Sequence, residues 1–281
     1  MSYWKRRARR VDPRLNSGLL YVKFETDRNK CRLSLSTNSV DCALMKRLVP
    51  WLMLLCLAPT GTGAESPATG KIEGRITFTG VIPKSKPDDA GTRHDLLKQD
   101  QQTRGLQGVV IYVLPANGVA FRARPGGKAA TKPLVDQVDY AFTPRVTAVQ
   151  EGETVVFRNS DPANHNVRAS GRNNEFNVFT GMDGTYEHRF IVETNYRPVR
   201  LGCDIHPWMG GWVYVFNHPH FAVTDAQGKF ELPGLPPGEY EFHVAQPDIN
   251  YHQHRRETVV AGETTRGSTL IHREEEAGTD R

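Results

Sequence analysis

Short runs of alternating apolar and polar residues, rather than helical stripes, organise this chain. In Gly70-Lys-Ile-Glu-Gly-Arg-Ile-Thr-Phe-Thr79 the residues Ile72, Ile76 and Phe78 fall at even spacing, and Gly80 and Pro83 close the run. A period of two buries one face of a strand. Gln107-Gly-Val-Val-Ile-Tyr-Val-Leu114 is a β-branched run ended by Pro115. Further runs lie at 146–149, 154–158, 186–192, 212–216, 229–232, 239–244 and 257–260, with Gly, Pro, Asn or Asp clusters between them. Many short strands separated by turn signals predict an all-β chain of antiparallel sandwiches. The pattern allows one short helix, over Asp95–Gln102, and predicts two polar, mobile loops at 83–105 and 116–133.

One apolar run does not fit a strand. Leu48 to Ala58 is almost wholly apolar, follows Met45-Lys-Arg, and leads through Pro59-Thr-Gly-Thr-Gly to Ala64. Eleven residues are too few for a membrane span, which needs about 20. A short basic region, an apolar core and a small-residue exit form a cleavable secretory signal. A buried core helix would not carry Pro50 inside the run and a Gly-rich exit after it. Residues 45–64 are therefore expected to be a signal peptide, with the mature chain starting near Glu65 and no transmembrane segment left after cleavage. Residues 1–44 show no sustained period and are expected to be a misassigned N-terminal extension, with Met45 the true start. Cys56 lacks the small residue before it that lipidation requires.

Composition sharpens this. The 281 residues include 25 Gly and 18 Pro with 38% hydrophobic and 24% charged residues, which excludes wholesale disorder. The formal charge of +5 would suggest a nucleic-acid partner, but residues 1–64 hold 12 Lys+Arg against 4 Asp+Glu, and residues 65–281 hold 24 against 27. The basic character belongs to the leader, so no nucleic-acid footprint remains. Of the four cysteines, Cys31, Cys42 and Cys56 precede Glu65, which leaves Cys203 alone in an exported chain. A single cysteine in an oxidising compartment points to intermolecular pairing, a reactive thiol or a metal-held thiolate.

Its neighbours favour a metal. Cys203-Asp-Ile-His206-Pro-Trp-Met209 spaces a thiolate, an imidazole and a thioether three residues apart. Soft sulfur with imidazole selects copper, and two histidines, one cysteine and a weak axial methionine form the electron-transfer copper set. The second histidine is found 38 residues upstream, in Asn159-Ser-Asp-Pro-Ala-Asn-His165-Asn-Val167. Cys-x-x-His-x-x-Met alone is an ambiguous pattern; the upstream His-Asn-Val and the flanking strands make it specific.

The stretch from Tyr140-Ala-Phe-Thr-Pro to Phe216 resembles the cupredoxins, and most closely the amicyanin and pseudoazurin group. The matching pieces are Phe142-Thr-Pro, Val149-Gln-Glu-Gly-Glu-Thr-Val-Val-Phe-Arg-Asn159, His165-Asn-Val167 and Cys203-Asp-Ile-His-Pro-Trp-Met-Gly-Gly211. The resemblance implies an eight-stranded Greek-key β-sandwich. It also implies one type-1 copper held by His165, Cys203, His206 and Met209, and a redox partner docking on an apolar patch near His206, Pro207 and Trp208, with Gly211 at its edge. Asp204 departs from the close relatives, which often have an uncharged residue there, and is expected to face solvent. Asn166 is expected either to tie the two ligand loops together or to cap its own loop.

A second resemblance brackets the first. Phe221-Ala-Val-Thr-Asp-Ala-Gln-Gly-Lys-Phe-Glu-Leu232 and Leu235-Pro-Pro-Gly-Glu-Tyr-Glu-Phe242 are similar to the carboxypeptidase regulatory-like, transthyretin-type β-sandwich. The opening strands of that family match Gly70–Ile76 and Gly108–Val113, which lie upstream of the cupredoxin-like stretch. The whole resembles methylamine-utilisation-like proteins, with a cupredoxin inserted in a transthyretin-like sandwich. The expected divisions are 65–133 and 218–273 for the two parts of the host, 134–217 for the insert, and 274–281 for a charged tail.

Other chemistry is weaker. His218-Pro-His220 and His252-Gln-His254 each put two imidazoles on one side of a strand, but neither has a third ligand identifiable from sequence, and both are read as structural or solvated. The ordered His-x-His set of a multicopper oxidase is absent, and a thiol hydrolase would need an exposed nucleophile beside a general base. The expectation is a periplasmic, secreted or cell-surface copper protein that transfers single electrons and is not an enzyme. The rivals are a carbohydrate- or protein-binding surface module with non-redox copper, and periplasmic copper storage or delivery.

Overall fold

The computed structural model describes residues 68–119, 121 and 131–273. The segment expected to be a signal peptide, the extension before it, most of the loop expected at 116–133 and the expected tail lie outside these residues. The described chain is built of strands: β1 (Gly70–Gly80), β2 (Val110–Pro115), β3 (Leu134–Val138), β4 (Ala141–Thr143), β5 (Val146–Gln150), β6 (Thr154–Asn159), β7 (His165–Ser170), β8 (Glu175–Thr180), β9 (Thr185–Arg189), β10 (Val199–Gly202), β11 (Gly210–Phe216), β12 (Phe221–Val223), β13 (Lys229–Leu235), β14 (Gly238–Gln246), β15 (Tyr251–Val259), β16 (Thr264–Arg266) and β17 (Thr269–Arg273). They form all-β sandwiches, and no helix among the described residues is long and apolar enough to cross a membrane.

Strands from both ends of the described chain share one sandwich. β1 pairs antiparallel with β13 and parallel with β16 and β17. The other sheet runs β12-β2-β14-β15. The period of two on β1 turns Ile72, Ile76 and Phe78 inward, where they meet Ile111, Val113, Phe242 and Val244. Burying each such side chain contributes about 1.5–3 kcal/mol. The turn before β13 is fixed by Asp225, whose Oδ1 accepts from the amides of Gln227 (2.9 Å) and Lys229 (2.8 Å). Gly228 sits there at φ 75°, and a Cβ on it would stand 2.3 Å from the Ile76 carbonyl oxygen, so only glycine lets the turn press against β1.

The helix expected over Asp95–Gln102 does not form. The segment runs as turns and isolated bridges, Lys84 to Asp95 and Gln99 to Leu106. Its amides are committed elsewhere: Leu96 N–H donates to Pro83 O (2.9 Å) and Asp100 N–H to Gly105 O (2.9 Å). Asp100 also accepts from the Thr103 amide at 2.7 Å, a local turn that competes with helix. With Leu97 buried in the core, the 83–105 loop is tied down along its length rather than free.

Residues 134–216 supply both sheets of the second sandwich, β5-β11-β10-β7-β8 and β4-β3-β6-β9. These are nine strands where the resemblance implied eight. Its core holds Val135, Phe157, Val167, Phe190, Leu201 and Val213 among others. β11 is buried on both faces: Val213 and Val215 point into that core, and Tyr214 and Phe216 pack with Val110, Tyr112 and Ala245 of the first sandwich. Polar contacts pin the same seam. Arg145 reaches Asp248 through Nη2 (2.7 Å) and Nε (2.9 Å), and Trp212 Nε1–H donates to the same carboxylate at 2.9 Å.

Candidate metal centre

β7 and β10 are antiparallel neighbours, with Leu201 opposite Ala169 and Gly202 opposite Arg168. The start of β7 therefore lies beside the end of β10. That register brings His165, the first residue of β7, to Cys203, the residue after β10, across 38 positions of sequence. A tight turn then carries His206 back over the pair: the Met209 amide donates to the His206 carbonyl at 2.9 Å before β11 begins.

Three donors converge. His165 Nδ1 and His206 Nδ1 are 2.9 Å apart, and Cys203 Sγ lies 3.9 Å from the first and 3.8 Å from the second. Bonds of about 2.0 Å to nitrogen and 2.3 Å to sulfur around one ion require separations of this size. Among the described residues this is the one group of three His, Cys, Asp or Glu side chains with ligand atoms close enough to share an ion. His165 is fully buried, and Cys203 and Met209 are each 3% exposed. Met209 packs in the same buried cluster as Cys203. A thiol and two imidazoles form a soft-to-borderline set that suits copper and offers nothing to a hard cation.

The surrounding shell fixes these donors. Asn166 Oδ1 accepts from the Asp204 amide (2.7 Å) and stands 3.3 Å from Cys203 Sγ, so this one amide spans both ligand loops. Its Nδ2 donates to Asn177 Oδ1 (2.7 Å) and to Asp204 Oδ2 (3.1 Å). Asp204 is 43% exposed and pairs with Arg168 at 3.1 Å, so the acid beside the cysteine points to the rim. Beneath Asn166, buried Gln137 donates to its carbonyl at 3.2 Å and accepts from Thr180 at 2.6 Å.

Two further contributors, Asp161 and Tyr140, are not predicted by the ligand spacing. Asp161 Oδ2 accepts from His165 Nε2 at 2.8 Å and from the Tyr140 amide at 3.0 Å, and Oδ1 accepts from the Asp139 amide at 2.7 Å. With Nε2 carrying the hydrogen, the His165 Nδ1 lone pair is left free for an ion. Asp139 and Tyr140 form the β3–β4 turn at φ 53° and 55°, a conformation rare for such residues. Asp161 holds that turn, and the turn aims Tyr140 edge-on at His165 (5.5 Å, 87°) and His206 (5.0 Å, 88°). Asp-Pro four residues before a histidine was the available signal, but the partner amides lie on a different hairpin.

His206 is the donor nearest the surface. Its ring is half-buried between Tyr140 and Trp208, whose ring centroid is 5.1 Å away, while Ile205 (49%) and Tyr140 (40%) are exposed beside it. Burial, and then the neighbouring His165, hold the His206 ring below the ordinary imidazole range. Neutral imidazole is the form that binds metal.

Of the remaining histidines, His188 lies on β9 of the second sandwich, and His218, His243, His252 and His254 lie with the first. His218 is buried among Phe121, Tyr196 and Phe216, and its Nε2 has no hydrogen-bond partner. Burial, followed by repulsion from His220, lowers it to about 4. His243 on β14 is buried and likewise lowered to about 4, chiefly by burial, while His252 and His254 on β15 are exposed.

No protein-family model and no curated protein matches the chain. Among solved structures, a mutant of amicyanin in its reduced Cu(I) form at pH 4 is 22% identical over 38% of this chain and 98% of its own, with a TM-score of 0.27. A purple cupredoxin from Nitrosopumilus maritimus is 23% identical over 30% of this chain and 99% of its own, with a TM-score of 0.26. The copper-containing nitrite reductase of Thermus scotoductus is 25% identical over 36% of this chain and 25% of its own, with a TM-score of 0.27. TM-scores of this size leave the reading of the centre to its own geometry.

Proposed function

We propose that this chain is an exported, cupredoxin-type electron carrier that binds one type-1 copper through His165, Cys203 and His206, with Met209 as the weak axial ligand. The observation that carries the reading is the convergence of one thiol sulfur and two imidazole Nδ1 atoms within 3.9 Å, in a pocket whose ligands are already held by Asp161 and Asn166. Bound there, copper supplies one-electron Cu(II)/Cu(I) chemistry. Cys203 provides the soft, charged donor, and the two histidines provide the neutral ones. The packed shell keeps the donor positions the same in both oxidation states, which lowers the cost of reorganisation on gaining or losing an electron. His206, Pro207, Trp208 and exposed Ile205 form the face on which a redox partner docks. The chain moves electrons between partners and carries no catalytic step of its own. The segment 45–64 would deliver it to the periplasm or beyond.

Redox potentiometry of the copper-loaded chain tests this. A reversible one-electron couple that tracks the thiolate-to-copper band is expected, and Met209→Leu should retain copper and colour while raising the potential, because loss of the thioether destabilises Cu(II) more than Cu(I). If the reduced copper form instead passes no electron to an oxidant, or if Met209→Leu changes only Cu(I) affinity, the chain is a copper store.

A further inference from the structure

The histidine pair that sequence leaves without a third ligand acquires one in the fold. β2, β14 and β15 lie side by side, with Tyr112 opposite His243 and His243 opposite His254. His252, two residues along β15, projects from the same face as His254. The rings form a stacked ladder: Tyr112 on His243 at 4.5 Å and 6°, His243 on His254 at 5.0 Å, and His243 with His252 at 5.3 Å.

Three heteroatoms meet at the centre of this ladder. His243 Nδ1 is 3.1 Å from His252 Nε2, and Tyr112 Oη is 3.1 Å from that same Nε2. A ring nitrogen has a single in-plane site, either an N–H or a lone pair. His252 Nε2 can serve only one of these two neighbours with it at a time. An ion among them satisfies all three at once. Two nitrogens about 2.0–2.1 Å from a tetrahedral ion stand roughly 3.3 Å apart, close to the spacing here. The pair at the Cys203 centre is set at 2.9 Å, with its rings at 67° to each other where those of His243 and His252 are at 21°.

The outer contacts agree. His243 Nε2 is buried without a hydrogen bond, and Glu241 Oε2 stands 3.4 Å from it. With Nδ1 given to an ion, Nε2 carries the hydrogen and faces that carboxylate, as metal-bound histidines commonly do. Exposed His252 and His254 leave the site open to solvent along the β15 edge.

We propose that Tyr112, His243 and His252 form a second cation site, for a divalent first-row ion such as Cu(II) or Zn(II), separate from the Cys203 centre. Two imidazoles and a phenol oxygen, with no sulfur, suit these ions and give no thiolate colour. The site does not depend on what the Cys203 centre does.

The test is copper binding by the full chain, dialysed against a glycine buffer that strips loosely held metal. Wild type should retain two copper ions per chain and His252→Asn one, with the thiolate-derived visible band equal in both. His252 is exposed, so this variant leaves the core intact. Glu241→Gln should weaken the second equivalent, which lacks the thiolate band, about tenfold, and Tyr112→Phe, which keeps the stacking, should weaken it at least as much. Equal copper in wild type and His252→Asn overturns the proposal, as does full affinity in Tyr112→Phe. Absence of the visible band would count against the Cys203 centre alone.

Discussion

The two places where this chain buries imidazoles differ in how completely they are satisfied. In the second sandwich both ring nitrogens of His165 are engaged, one toward Asp161 and one toward His206 and Cys203, and Asn166 uses its oxygen and its amide together. In the first sandwich His218 and His243 each keep an Nε2 that is buried and unpaired. A fully partnered pocket is preorganised and resists change. An unpartnered buried imidazole is stable only while neutral, so it responds to protons or to an ion. The difference separates a rigid centre from a responsive one within a single seam-joined molecule.

The largest effect that probes this contrast is pH dependence. His218 is neutral in both folded and unfolded chains above about pH 6.5. Between there and its folded value of about 4, only the unfolded chain takes the proton, so stability falls as pH drops through that window. A fall from the ordinary 6.5 to about 4 corresponds to about 3 kcal/mol at the acid end. His218→Phe, whose ring suits the pocket of Phe121, Tyr196 and Phe216, should remove about one proton from the pH slope of unfolding free energy. Denaturant melts from pH 7 to 4 measure it, and an unchanged slope would erase the contrast.

Next comes the carboxylate that makes the other pocket rigid. Asp161→Asn preserves shape but turns an amide NH₂ toward at least one of three N–H donors. We expect copper retention to drop about 10–100-fold and the metal-free chain to lose about 1–3 kcal/mol. Competition with a chelator and denaturant melts report the two separately. Loss of stability without loss of copper would mean that Asp161 serves the Asp139–Tyr140 turn only.

Legibility in sequence followed the same division. Ile72, Ile76 and Phe78 were readable because one face of β1 is buried and the period of two survives. β7 was not, since His165, Asn166 and Val167 are buried in succession and the alternation is lost. Asp95–Gln102 misled because its polar residues satisfy the backbone through turns and bridges that sequence does not display. For the centre, Cys203, His206 and Met209 share one turn and their spacing is local, and His165 was reachable through its Asn-Val neighbours. Asp161, Tyr140 and the His243 partner of His252 were not, because strand register, and not spacing, brings each of them into contact.

A smaller effect is expected at the seam. Asp248 accepts from Arg145 and Trp212 with its side chain 2% exposed. Asp248→Asn should cost about 1–3 kcal/mol of stability while leaving the visible spectrum of the copper form unmoved, because Asp161 and Asn166 hold the ligands without it. A spectral shift would show that the first sandwich tunes the centre. Smallest is Met209→Leu, a swap of similar volume, which should change the stability of the metal-free chain by less than about 1.5 kcal/mol; a larger loss would make Met209 a packing residue first.

The central claim is that Cys203, His165 and His206 hold one copper as a redox centre, and the visible spectrum of the copper-loaded chain tests it most directly. Wild type should develop an intense sulfur-to-copper charge-transfer band that a reductant bleaches and an oxidant restores. Cys203→Ser should lack it, since a hydroxyl gives no such low-energy transition. A colourless wild type with copper bound, or a band that persists in Cys203→Ser, would contradict the account.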